Sequence, residues 1–233
     1  MSRNIALQLL IAGVAALGLG VFAGGYLDWH HEDVVLLITL VAIAVASELF
    51  DFAPFPHSRI SLTIAPILAA ATFCGLPGVV VVAGSAAAAD YVAHRKPLFK
   101  GVFNLGVLLL TGAAHVGVLE TLASAGSLRD WDGLIGPVIL GSLAAFAVNS
   151  ALVAAAIGLH TARPPLTVWN ESFRWMAPYY VTMGVLALFI AVAYDRWELW
   201  GLALLMAPLA VAWLAVKQYV GLASPVRAAA QKP

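Results

Sequence analysis

The sequence has 233 residues, of which 62% are hydrophobic and only 10% charged, with a mean hydropathy of +0.94. A soluble domain carries about 25% charged residues, so the composition excludes a water-soluble globular protein and describes one that lives in a bilayer. Twelve basic and twelve acidic residues give a formal net charge of zero, with no electrostatic footprint for a nucleic acid, and a single cysteine, Cys74, excludes an intramolecular disulfide and a cysteine-based metal cluster.

Uncharged apolar runs follow one another at about 5–25, 34–49, 60–74, 77–93, 98–119, 133–159, 177–194 and 198–216. A hydrocarbon core about 30 Å thick needs roughly 20 helical residues. The runs therefore predict an all-α fold, a polytopic integral membrane bundle of about eight transmembrane helices. It forms a single domain over 1–220 with a short tail over 221–233. The first run, with Arg3 before it and Val21-Phe22-Ala23 near its end, imitates a secretory signal. It exceeds the usual 7–15 residue apolar core of one, so it reads as a helix. The third and fourth runs are short and separated only by Gly75, Leu76, Pro77 and Gly78. They form either two spanning helices or a re-entrant hairpin, and both return the chain to the same side. Later, PPLTVWNESFRW, from Pro164 to Trp175, mixes Leu166, Val168, Trp169, Phe173 and Trp175 with Asn170, Glu171 and Arg174, which predicts a short interfacial helix.

With the N-terminus taken as cytoplasmic, the inner segments carry every Lys and Arg except Arg129 and Arg196. That bias places both termini in the cytoplasm. Asp28, Glu32, Asp33, Glu120, Asp130, Asp132, Asp195 and Glu198 fall outside. Tyr26, Trp29, Trp131, Trp197 and Trp200 would form the outer aromatic belt, and Trp169, Trp175, Tyr179, Tyr180 and Tyr219 the inner one. Small residues four apart, such as Gly20 and Gly24 or Gly141 and Ala145, predict closely packed helices.

Two asparagines stand inside apolar runs, in KGVFNLGVLLL and AFAVNSALVAA. A carboxamide away from water needs hydrogen-bond partners, so Asn104 and Asn149 mark helix contacts or a pocket. Asn149 falls roughly 16 Å in from His160, near the midplane, and Asn104 roughly 6 Å from Lys100. Glu48 and Asp90 fall near the inner ends of their helices, at about the level of Asn104. Asn149, Asn104, Glu48 and Asp90 are the candidate ligand-binding residues. Their alternative roles are interhelical glue for the asparagines and pairing with Arg59, Arg95 or Lys96 for the carboxylates. His115 reads as a satisfied structural histidine, and His30, His31, Glu32 and Asp33 as a solvated loop. No metal-ligand spacing, nucleophile motif or phosphate cradle occurs in the sequence, so no enzyme, metal or cofactor is expected.

Several stretches taken in order carry a family resemblance: SLTIAPILAAATFCGLPGVVVVAGSAAAADYVAHRKPLFKGVFNLG, FAVNSALVAAAIGL, and VWNESFRWMAPYYVTMGVLALFIAVAYDRWELWGLALLMAPLAVAWLAVKQYV. Together they resemble the multi-pass membrane sensor module (MASE-like) at the N-terminus of bacterial HD-GYP and GGDEF signalling proteins. The matching features are the Gly-Pro turn, the basic loop before Phe103-Asn104, Asn149, Trp175 with Pro178, Pro208 and Gln218-Tyr219. In that family the last helix leads into a cytoplasmic catalytic domain; here residues 221–233 follow, and no GGDEF or HD signature occurs. The resemblance implies a non-enzymatic sensor or small-molecule-binding bundle of the cell inner membrane. Its partners would be the lipid bilayer, a small-molecule ligand and a membrane or cytoplasmic protein. A weaker resemblance, of the Ile60 to Asp90 hairpin, is to the substrate-binding components of energy-coupling-factor vitamin transporters, which implies transport as the alternative.

Overall fold

The structure, a computed structural model, describes residues 3–27, 34–49, 52–55, 58–60, 63–122 and 128–201. Its helices are α1 (Arg3–Leu27), α2 (Val34–Leu49), α3 (Ile64–His94), α4 (Leu98–Leu122), α5 (Ile135–Thr161) and α6 (Pro165–Ser172). A 3₁₀ turn at Arg174–Met176 leads into α7, which starts at residue 177. Among the described residues, five helical stretches are long and apolar enough to cross a bilayer: Arg3–Leu27, Ile64–His94, Leu98–Leu122, Trp131–Thr161 and Arg174–Gly201. The shorter α2 is also apolar. The all-α class and the membrane assignment follow. Met1 to Ala191 form one compact unit, and a second begins at Val192.

Although α3 is the longest helix, it is not one rod. Gly75 inside it has φ 57 and ψ −145, a conformation open essentially to glycine alone. Beyond it Gly78 lies against Ala70: a Cβ on Gly78 would stand 2.9 Å from the Ala70 carbonyl oxygen. In a straight helix residues eight apart are separated by about 12 Å, so the chain reverses at Gly75 into two antiparallel limbs. The second limb aligns antiparallel with α4, where Asp90 meets Asn104 and Val79 packs on Gly112. The first limb runs parallel to α4, with Thr72 against His115. The Gly-Pro turn is thus a fold-back that joins two limbs into a hairpin. Its first limb, 64–74, is about 16 Å long and too short to span by itself.

The apolar run read from Ile60 begins later as a helix. Phe52–Phe55 and Ser58–Ile60 form a two-stranded antiparallel hairpin, with Phe52 opposite Ile60 and Phe55 opposite Ser58, and the helix starts at Ile64. Pro54 cannot donate to a ladder, which suits a ribbon with a free edge on each strand.

Close crossings hold the remaining helices. A Cβ on Gly18 of α1 would sit 2.9 Å from Gly106 Cα of α4, and Gly25 sits on Leu76 at the tip of the α3 hairpin. Gly184 of α7 lies on the Ser142 side chain of α5 with no room for a Cβ. In lipid, where apolar contact alone gives no driving force between helices, backbone proximity of this kind supplies the packing energy. The interfacial helix expected over Pro164 to Trp175 is present as α6, with Pro165 in its first turn. Val168 is buried, and Trp169 donates through Nε1 to Ser150 Oγ of α5 at 2.8 Å while its ring tilts onto Phe146.

In the second unit, helical residues are described from 192 to 201. Glu198 has φ 49, and Gly201 lies on the Ala193 backbone, so the chain turns back there, close to where the sequence separates its last two apolar runs. Most of the run at 198–216, and the boundary at 220, lie outside the described residues.

Candidate functional site

The four candidate residues occupy three separate places. Asp90, near the C-terminus of α3, is 4% exposed. Its Oδ1 and Oδ2 accept from Lys96 Nζ at 2.6 and 2.7 Å, Oδ2 accepts from Asn104 Nδ2 at 3.2 Å, and His94 Nδ1 lies 3.0 Å from Oδ1. Arg95, in left-handed conformation at φ 46, ends α3 and lets Lys96 fold back onto the carboxylate. A buried carboxylate costs several kcal/mol unless paired and hydrogen-bonded, and here both oxygens are hydrogen-bonded. The cluster latches α3 to α4. Lys96, among the partners expected from sequence, engages Asp90, and Asn104 shares the level estimated for it.

Glu48 does not join that cluster. Its Oε1 accepts from the Thr63 hydroxyl at 2.6 Å, tying the end of α2 to the start of α3. By the register of the α3 hairpin, Thr63 lies opposite residue 85 and so about 7 Å deeper than Asp90.

Asn149 sits on the seam between α5 and α4. Its Nδ2 donates to Thr111 Oγ1 at 3.2 Å, and the Thr111 hydroxyl donates to the Val107 carbonyl at 2.7 Å. The Asn149 carboxamide oxygen has no partner among the described residues. One turn further along α4, His115 is fully buried, with Nε2 3.1 Å from Thr72 Oγ1. Thr72 Oγ1 stands within hydrogen-bond reach of both the Leu68 carbonyl oxygen, at 2.8 Å, and His115 Nε2. His115 Nδ1 lies against the Gly141 backbone of α5. A Cβ on Gly141 would stand 2.7 Å from Nδ1, so the glycine is what lets the ring lie in the seam.

His115, read from sequence as a structural histidine, is fully buried between Thr72 and Gly141. A signal for that placement was available: Asn104, Thr111 and His115 are spaced by seven and four residues and so share one face of α4. Each meets a different element, Asn104 the second limb of α3, Thr111 α5, and His115 the first limb of α3. Among the described residues no group of three or more His, Cys, Asp or Glu side chains is placed to hold a metal ion.

Compared with protein-family models, curated proteins and solved structures, the chain matches none of them.

Proposed function

We propose that the chain is a non-enzymatic membrane sensor or small-molecule-binding module of the bacterial signalling type its sequence resembles, acting alone or through a partner. It sits in the inner membrane with both termini cytoplasmic. The ligand seam runs between α4 and α5, and the observation that carries this reading is the half-buried Asn149, whose carboxamide oxygen has no partner among the described residues. Polar atoms away from water are costly when unsatisfied. An amide acceptor of this kind suits an uncharged, largely apolar molecule that presents an N–H or O–H donor. Asn104, Asp90 and Glu48 have structural partners and hold the helices around the seam.

Native mass spectrometry of protein extracted in mild detergent from its own membranes tests the reading. A defined adduct that disappears in Asn149→Ala supports it; a bare protein, or an adduct retained by that variant, sinks it. A transport role, as the substrate-binding component of an energy-coupling-factor system, has one observation in its favour. The first limb of α3 is a buried half-length helix broken at Gly75, and broken helices recur at transporter binding sites. Substrate accumulation in liposomes that failed in the presence of a bound ligand would count against it.

A further inference from the structure

We propose that the end of the bundle formed by the α3–α4 turn and α6 is a docking surface for the headgroup of an anionic phospholipid. The two elements share that end because α4 leads away from it and α5 returns antiparallel, with Thr111 against Asn149 and His115 against Gly141. On these two elements the charge accounting is one-sided. Asp90 is neutralised by Lys96, and the exposed Glu171 is paired with Arg163. Arg95, Lys100 and Arg174 are exposed, and none has an ion-pair partner among the described residues. At the opposite end the exposed side chains include the acids Glu120 and Asp132. Among the described residues, the α3–α4 turn and the 3₁₀ turn after α6 therefore present a surface complementary to negative charge.

Apolar side chains select a lipid over a free anion. Leu98 is 68% exposed, Phe99 53% and Trp175 52%. Leu98 and Phe99 directly precede Lys100 on the first turn of α4, and Trp175 follows Arg174, so Lys100 and Arg174 each have an exposed apolar residue next to them in the chain. A phosphodiester at the cations with its acyl chains along these side chains satisfies both. The helix N-terminus at Leu98 adds a favourable dipole, and each basic residue near an anionic leaflet contributes about 1 kcal/mol.

The test reconstitutes the whole chain in nanodiscs of phosphatidylcholine with about one-third phosphatidylglycerol, re-extracts it gently, and counts retained lipids by native mass spectrometry. Phosphatidylglycerol should be retained well above its bulk ratio and fall about five-fold for each cation removed in Arg95→Gln/Lys100→Gln. Arg174→Gln, which is outside the α3–α4 turn, should show its own about five-fold loss even if the double variant folds poorly. Retention at the bulk ratio, or unchanged retention in Arg174→Gln and in a folded double variant, overturns the proposal. Displacement of the bound species by millimolar inorganic phosphate also overturns it, because the surface would then be a free-anion site.

Discussion

Asp90 and His115 are both buried ionisable groups, and the bundle treats them oppositely. Around Asp90 both carboxylate oxygens are hydrogen-bonded, by Lys96 and Asn104, so removing Lys96 strands a charge. Lys96→Met is expected to lower stability by about 2 kcal/mol, and Asp90→Asn/Lys96→Met to recover most of that loss. Thermal unfolding in detergent decides; a double variant no better than the single would mean that the pair is not what holds the turn. At His115 the constraint is steric. Gly141→Ala places a methyl against the ring, which must move away from Thr72. This variant should be clearly destabilised, by roughly 1–3 kcal/mol, whereas Gly136→Ala, with open space at its Cβ, should be neutral. Equal melting temperatures for the two would contradict the described seam. The shared level of Asp90 and Asn104 was legible from helical rise alone. The hydroxyl partners of Glu48, Asn149 and His115 were not, because Thr63, Thr111 and Thr72 blend into apolar runs and reveal themselves only once neighbouring helices are aligned.

At the scale of elements, the helix starts and stops follow hydropathy and Pro/Gly punctuation closely. The run at 34–49 is α2, and the runs at 98–119 and 133–159 differ from α4 and α5 by a few residues. The ribbon at 52–60 was missed, since a run beginning at Ile60 carries no mark of where strand ends and helix begins. For the α3 reversal, the Gly-Pro signal was sufficient to locate the break, but two spanning helices and a re-entrant hairpin carry the same signal. How closely the limbs approach depends on Ala70 and Gly78 being small. Gly75→Ala should therefore cost about 1–3 kcal/mol through backbone strain, with no change in any polar contact. If its unfolding temperature matched the parent, the left-handed turn would not be required. Substituting Gly106 by Leu should push α1 off α4 at the Gly18 crossing, and limited proteolysis should then cut α1 faster than in the parent.

For the whole molecule, the helix directions make a claim that holds for either orientation in the bilayer. Cysteines placed at Lys100 and at Ser172, in a Cys74→Ala background, should react with a membrane-impermeant maleimide from one side, and a cysteine at Glu120 from the other. Labelling of Lys100→Cys and Glu120→Cys from the same side would break the spanning assignment of α4. The bilayer itself was readable from composition, because no arrangement in water hides so much apolar surface.

The reversal at Gly75 also has a consequence for biogenesis. A limb of about 16 Å cannot bridge the hydrocarbon core, so when it leaves the ribosome it has no stable resting place until the second limb arrives to close against it. At roughly 5–20 residues per second, the twenty or so residues that complete the hairpin take on the order of one to four seconds. During that interval the nascent chain depends on the insertion machinery to hold a buried segment that has nothing yet to be buried against.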